Sequence, residues 1–497
     1  MKHKLLKLIF FLIFISSDLF AQVSVDWYNY PGGVAVATNN NFDVYTVNWD
    51  YNPAGDITLT KRDSAGNIVW ETAYDNLDNT RHEVATWVET DNSGNILVSG
   101  TIRSGFSSPV NAASVLMKFD SSRVLLWRVV FENSFDGSST KKVLVDANDN
   151  SYVLGLGMGT NGIVTKVKKF DPSGNSVWSY FDTSGVGAPL NIKFTPDSNL
   201  LIIARTTTGN LNGYSKIDLN GNHIWTTAGI TSNTSGDACG DSQGNTYLVN
   251  GEYVISNSGS VLQKLAANGT QIWTDTNSIT AYRVEVGNDD SPVICGFPNS
   301  GTPGAAFIKY DNAGNILWQN LDGDGPSYAL LLHAQMKMDI DNAIYLAAGT
   351  LTEMAICKVN SFGIFEWTAA IPGSYANAFD FNTKEVIYVV GGTTAKIGQL
   401  LQTEIVQPRQ NEDGNRITVF PNPVEASATI EIRLTEENVS AVSIEDVLGK
   451  TVRHMDHKNL HIGKNEVVVD LSELKSGTYF VTLKSDDVIQ TVKLIRK

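Results

Sequence analysis

Cysteine is scarce in this 497-residue chain. The three present, Cys239, Cys295 and Cys357, are too few and too scattered to make a disulfide framework. No histidine stands near any of them in sequence to activate a thiol, so buried free thiols are expected. Between residues 22 and 406 the only histidines are His82, His223 and His333, at unrelated positions. A nucleophile-elbow sequence is missing, as is the vicinal cysteine pair that bound pyrroloquinoline quinone would call for. No basic stripe is present and the formal net charge is −15, which argues against a nucleic-acid partner. Helical periodicity is absent across the same stretch. Beyond the first twenty residues no apolar run is long enough to span a bilayer.

What the chain does have is repetition. Lys169-Phe170-Asp171-Pro172-Ser173-Gly174-Asn175-Ser176-Val177-Trp178 recurs as 61–70, 118–127, 216–225, 264–273, 309–318 and 358–367. In all seven copies the Asp position precedes the Trp by seven residues. A period of roughly 50 residues marks a repeat array. Asp171 can accept bonds from the backbone of the residues that follow, and Gly174 supplies the positive φ of a tight turn, so each copy reads strand–turn–strand. Copies depart from the rule at Arg123, in place of Gly, at Ala266, in place of Asp, and at Asn360 with Ile364. A second motif alternates with the first. It is clearest at 91–100, 146–155 and 241–250, and weaker at 195–204, 287–296, 339–349 and 381–391. Two hairpins per period make four short strands, the blade of a β-propeller.

The expected fold is all-β. Trp27, Trp70, Trp127, Trp178, Trp225, Trp273, Trp318 and Trp367 then mark eight blades, with Val23 to Trp27 supplying the strand that the last one, around Lys396, lacks. Seven blades with a loose N-terminal end is the alternative. The tryptophans are read as packing between blades rather than as a sugar-stacking platform. Only Trp49 and Trp87 fall outside the register, which makes them the better candidates for ligand contact.

Lys2, Lys4 and Lys7 precede an apolar run that ends before Ala21, so residues 1–21 read as a secretory signal peptide. Its removal takes away three lysines and one aspartate and leaves a mature net charge of −17. Residues 22–406 form the expected propeller and 407–416 a polar linker. Alternating strands over 417–497 predict a small immunoglobulin-like sandwich.

That last segment resembles the type A sorting domain of the type IX secretion system of certain Gram-negative bacteria. The residues that carry the likeness are Val419-Phe420-Pro421-Asn422-Pro423, Asp446-Val447-Leu448-Gly449-Lys450, Leu471-Ser472-Glu473-Leu474, Ser476-Gly477-Thr478-Tyr479-Phe480 and the basic end Lys493-Leu494-Ile495-Arg496-Lys497. The resemblance implies recognition by the outer-membrane translocon, removal of the tail, and release or attachment at the cell surface. A generic carbohydrate-binding or adhesive sandwich is the alternative. The repeats resemble bacterial propeller repeats of the Ser-Gly-Asn type, as in Asp91 to Asn95, and the tryptophan-docked blades of quinoprotein-like propellers. That likeness implies architecture only.

Two acidic turns, at 146–150 and 339–342, place oxygen ligands at alternate positions, as calcium requires. Asx turns explain both without a metal, and no cofactor is expected. His454, His457 and His461 have the spacing of a weak zinc site or of a solvated face. The expected function is a secreted, non-enzymatic scaffold presenting loops to an extracellular ligand, either a glycan or a protein. A glycan-active hydrolase or lyase at the mouth of the channel is the alternative. Its site would be built from the non-repeating segments 103–111, 133–140 and 299–303. Carboxylates or histidines converging at one end of the channel would favour the enzyme.

Overall fold

The computed structural model describes residues 24–398 and 416–496 except for the connecting segments 30–31, 40–42, 50–55, 75–81, 104–111, 132–138, 160–161, 207–210, 230–234, 252–259 and 300–303. Also excepted are 322–334, 350–352, 374–375, 382–385, 421–423, 425, 435–438, 447–450, 456–459, 476 and 486–488. The chain divides into two compact units, residues 1–400 and 401–497. All described regular structure is β, and among the described residues no helix is long and apolar enough to cross a membrane.

In the first unit, the described residues form eight four-stranded antiparallel sheets. Sheet 1 spans 35–74, sheet 2 82–131, sheet 3 139–181, sheet 4 186–228, sheet 5 235–276, sheet 6 279–320 and sheet 7 335–372. Each is a meander whose strands pair in chain order. Middle strands lie between neighbouring sheets and are buried on both faces. Ala113–Phe119 is buried at every residue, which explains its unbroken apolar run. Outermost strands alternate instead, as Ile68–Tyr74 does with Trp70 half-buried and Ile68 and Val69 in water. The core is the set of seams between successive sheets. One seam packs Tyr282, Cys295 and Phe307 of sheet 6 against Met336, Leu346 and Phe365 of sheet 7.

Sheet 8 is assembled from both ends of the unit. Its inner three strands are Ala378–Phe381, Ile387–Val390 and Thr394–Gly398, and Ser24–Asn29 pairs antiparallel with the last of these. The N-terminal strand is therefore paired, not loose. Trp27 stands opposite Lys396 in the register, as Trp178 does opposite Lys169, and Asp26 holds the Lys396 ammonium at 3.1 Å. The Trp27 side chain lies outside the described residues. Sheet 8 meets sheet 1 where the Asp380 carboxylate accepts the Thr38 amide at 3.0 Å and its hydroxyl at 2.8 Å. On its other side Lys337 of sheet 7 reaches Asp380 at 2.8 Å. The sheets thus form a closed β-propeller.

The second unit is a two-sheet sandwich. Arg416–Phe420, Ser427–Leu434 and Gly463–Asp470 form one sheet, and Thr451–Met455, Val439–Asp446, Gly477–Ser485 and Ile489–Arg496 the other. Ala428, Ile430, Ile432 and Leu434 point into the core between them, the alternation expected. Two strands, Arg416–Phe420 and Thr451–Met455, escape the sequence reading. The first is short and broken by Pro421, and the second mixes Thr451 and Val452 with polar Arg453 and His454. Arg416, taken as the end of the linker, already pairs with Arg433.

Deleting residues 22–29 should strip sheet 8 of its outer strand and expose a new sheet edge. The expected result is a marked fall in the thermal midpoint with aggregation, followed by tryptophan fluorescence.

Candidate functional site

The repeated lysine and tryptophan are direct cross-strand neighbours, as in Lys118 with Trp127, Lys169 with Trp178 and Lys264 with Trp273. A β-bulge follows the lysine in each of these pairs and re-aims the strand into its turn. Both side chains then donate to one carbonyl in the next sheet. Trp127 Nε1 and Lys118 Nζ bond Pro172 O at 3.0 and 3.3 Å, and Trp178 and Lys169 both bond Leu219 O at 3.2 Å. Trp273 and Lys264 share Asn312 O, both at 3.1 Å. Lys118 is almost wholly buried, and Asp91 of its own sheet meets it at 2.7 Å. In several sheets a buried tyrosine completes the row on the second strand: the Lys169 ammonium sits 4.9 Å from the Tyr152 ring, and that of Lys264 5.0 Å from Tyr247.

The glycine has two duties. At φ 85° Gly174 closes its turn, and a Cβ there would lie 2.8 Å from the Trp127 ring of the preceding sheet. Asp171 Oδ1 accepts the amides of Ser173 and Asn175 at 2.9 and 2.8 Å. Arg123 adopts the same left-handed conformation at φ 70°. Where Ala266 replaces the aspartate, Asn268 Oδ1 takes over by accepting the Thr270 amide at 3.0 Å. The turns of the second motif face the same end of the ring. There Asp149, Asp290 and Asn342 stand at positive φ and clasp the neighbouring sheet. Asp149 accepts from the Asn92 amide and the Ser93 hydroxyl, both at 2.8 Å, and Asp290 accepts the Ser242 amide at 2.8 Å.

Near this end, charged side chains from the innermost strands meet inside the ring. Lys193 of sheet 4 reaches past sheet 5 to Glu285 of sheet 6 at 2.6 Å, and also holds Asp237 of sheet 5 at 3.0 Å. Lys337 holds Asp380. Lys142 donates to Asn191 Oδ1 at 2.9 Å and lies 5.0 Å over the Trp87 ring. Burial pulls Lys193 down, but Asp237 and Glu285 lift it above a lysine's ordinary value. Burial, with the Lys193 charge behind it, lowers Lys142 to about 8. Glu89 goes the other way: burial and then the Asp380 charge push its carboxyl up to about 7. Three lysines and four acids therefore converge, with Glu89 and Lys142 drawn toward neutrality and the Glu285 carboxyl also raised by burial. No repeat motif contains these residues. Four of the seven share a position: Glu89, Lys193, Glu285 and Lys337 each stand two residues before the first residue of the following turn.

The residues singled out from sequence are dispersed. His82 begins the inner strand of sheet 2, while His223 is exposed on the outer strand of sheet 4, its Nε2 2.8 Å from Thr226 Oγ1. His333 lies outside the described residues, as do the Trp49 side chain and most of 103–111, 133–140 and 299–303. Trp225 and Trp367 are buried, and Trp70, Trp127, Trp178, Trp273 and Trp318 half-buried. Trp318 Nε1 bonds Ser361 O at 3.0 Å and Trp70 Nε1 bonds Ser121 O at 3.3 Å, each in the following sheet. The Asp146 carboxylate takes donors from Asn148, Asn150 and Tyr152. Burial opposes this, yet the bonds from Asn150 and Tyr152 hold it below the ordinary carboxylate range. Among the described residues no group of three or more His, Cys, Asp or Glu is placed to hold a metal ion.

In the sandwich, His454 and His461 border one shallow groove with Arg453, Lys464 and Val468, and His457 lies outside the described residues. Pro421, Asn422, Pro423, Gly449 and Lys497 also lie outside, as does the Lys493 side chain. Gly477 opens its strand in exposed backbone, and the buried Tyr479 donates to Lys475 O at 2.9 Å. Arg496 Nε donates to Leu471 O at 3.0 Å, so this residue of the basic end is built into the sandwich.

A β-propeller followed by a small sandwich is thus the class of protein. Residues 418–497 match the family described as "Secretion system C-terminal sorting domain", and the tail is a type IX sorting domain. Among solved structures, the chain is similar to the propeller of Dos1 at 12% identity and TM-score 0.49, over 74% of this chain and 93% of that one. It is also similar to the WD40 propeller domain of Doa1, at 10% identity and TM-score 0.44, over 76% and 98%. A third is a protein of unknown function from Bacteroides caccae, at 11% identity and TM-score 0.36, over 66% and 93%. No curated protein sequence matches the chain.

Two predictions follow the geometry. Asp91→Ala leaves the buried Lys118 ammonium without its counter-charge and should cost about 3–5 kcal/mol in denaturant unfolding. Cys239, Cys295 and Cys357 are buried, and burial raises all three thiols, the last to about 12. Iodoacetamide at pH 8 should label none of them in the native protein and all three in urea, as read by mass spectrometry.

Proposed function

We propose that the protein is a non-enzymatic scaffold, exported through the type IX system, whose eight-bladed ring presents one face to an extracellular glycan or protein. We further assign its repeats to the Ser-Gly-Asn type, with quinoprotein-like tryptophan docking. The observation that carries the reading is the asymmetry between the two ends of the ring. At one end the aspartates, asparagines, lysines and indoles are engaged in turns and clasps. The strand ends that bound the longer, non-repeating segments, Arg103 and Ala113, Gly251 and Val261, and Asn320 and Gln335, lie at the other. Sequence variety on a uniform frame is how propellers acquire partners. Export begins with the leader at 1–21, passes through the periplasm, and ends with the translocon reading residues 417–497, Pro421 to Pro423 and the basic end among them.

The enzymatic reading retains one argument. Carboxylates do converge inside the ring, and Glu89 near pH 7 has the proton affinity of a general acid. Against it, Asp237, Glu285 and Asp380 are all held by lysine ammonium groups.

Deleting residues 417–497 should leave a folded propeller in the periplasm, seen by fractionation and protease resistance; normal appearance outside the cell counts against the export role. Glycan-array binding without turnover of the bound polysaccharides supports the scaffold. Turnover abolished by Glu89→Gln would replace it with the hydrolase or lyase.

A further inference from the structure

Glu89 occupies a place that neither the repeat nor the proposed scaffold role explains. It lies on the inner strand His82–Thr90, and the groups facing it come from several sheets. Lys142 comes from sheet 3, Lys337 from sheet 7 and Asp380 from sheet 8. The inner strand of sheet 1, Ala35–Thr38, brings no ionisable group and ties in through the Thr90 hydroxyl, which donates to Thr38 O at 2.9 Å. Around this centre, Lys193 is shared by Asp237 and Glu285, and Lys337 is bound to Asp380. Lys142 rests on a neutral amide and an indole. Three ammonium groups therefore balance three carboxylates, and Glu89 is the fourth. Among the described residues, its carboxyl accepts one hydrogen bond, from the Thr90 amide at 3.3 Å.

We propose that this axial network is a proton-dependent plug, neutral and tightest while Glu89 keeps its proton, and loosened when Glu89 gives it up. Ionised, the four acids outnumber the three lysines, and the surplus negative charge faces Asp380 across a partly solvated channel. The bonds of the plug join sheet 3 to sheet 4, sheet 4 to sheets 5 and 6, and sheet 7 to sheet 8, so its loosening weakens several seams and not one.

The sign follows from the raised carboxyl. Glu89 titrates near 4.5 in the unfolded chain and near 7 in the folded one. Its contribution to stability is therefore complete below about 4.5, falls as pH rises, and is gone above about 7. The size corresponds to about three-hundredfold in the folding equilibrium constant.

All ten tryptophans lie before residue 368, so their fluorescence follows the propeller without interference from the histidines of the tail. Urea midpoints of the full mature chain, taken from pH 4.5 to 8.5, test the idea. For the wild type the expected profile carries a fall between pH 4.5 and 7 that Glu89→Gln lacks, with the variant the more stable of the two at pH 7.5. Lys142→Met removes a cation facing Glu89 and should carry the end of the fall to higher pH. Parallel wild-type and Glu89→Gln profiles overturn the proposal. Should Glu89→Gln fail to fold, an unmoved profile in Lys142→Met overturns it equally.

Discussion

The whole ring rests on a buried ammonium that its own sheet cannot satisfy. Lys118 is taken out of water beside Asp91, and the rest of its bonding comes from a carbonyl in the next sheet, the same one that receives the Trp127 indole. Removing a lysine from water is expensive unless its donors are met. An isolated sheet therefore carries an unmet cation on one seam and a bare turn on the other. Sheets 2 to 5 are completed in this way by their neighbours, which binds those repeats into one cooperative structure despite their local contacts. Closure of sheet 8 by the N-terminal strand restores the Lys–Trp register at Lys396 and Trp27, with Asp26 of the same sheet meeting the ammonium.

The same logic explains backbone conformations that look unfavourable in isolation. Asp149, Asp290 and Asn342 hold positive φ where the clearest copy has Gly94. For residues with a Cβ that geometry costs energy, though least for Asn and Asp. In return the side chains of Asp149 and Asp290 are aimed at backbone amides of the adjacent sheet. A glycine would relieve the strain and lose the clasp. Where the strand-3–strand-4 turn is pressed against an indole, as at Gly174, Gly221 and Gly269, the balance reverses, because a Cβ there would meet the ring of Trp127, Trp178 or Trp225.

How much of this was legible in the sequence depended on the range of the chemistry. The turns were legible because an Asx turn is local: Asp171 and its partners fall within five residues. The strand carrying Trp27 was legible because an incomplete blade and an orphan strand are complementary deficits. The lysine was recorded as part of the motif, but its task was hidden. A lysine in an alternating strand normally reaches water, and only the partner carbonyl some fifty residues on reveals otherwise. The tyrosines of the second strand, Tyr152 and Tyr247 among them, are indistinguishable in sequence from ordinary core residues for the same reason. The axial charges were least legible of all. Glu89, Lys142, Lys193 and Lys337 share no motif, and each looks solvated on its own strand until the ring brings them together.

That arrangement bears on where function can reside. A channel lined by ion pairs near one end is committed there, because a ligand entering must break pairs already made. The turns around that end are committed too, their carboxylates and amides being engaged with one another or with the neighbouring sheet. Short connections on the opposite end are committed as well, the Asp182 carboxylate taking the Ser184 amide and the Asn277 side-chain oxygen the Ser260 hydroxyl, whereas the longer ones share no repeated motif. They vary in length and sequence while the frame beneath them does not, so they can change without disturbing the lysine–carbonyl bonds that hold the sheets. A chain equipped with an export tail and a frame of this kind is suited to meeting varied molecules outside the cell. In the scaffold role proposed above, recognition belongs to the loops and stability to the turns and the axis.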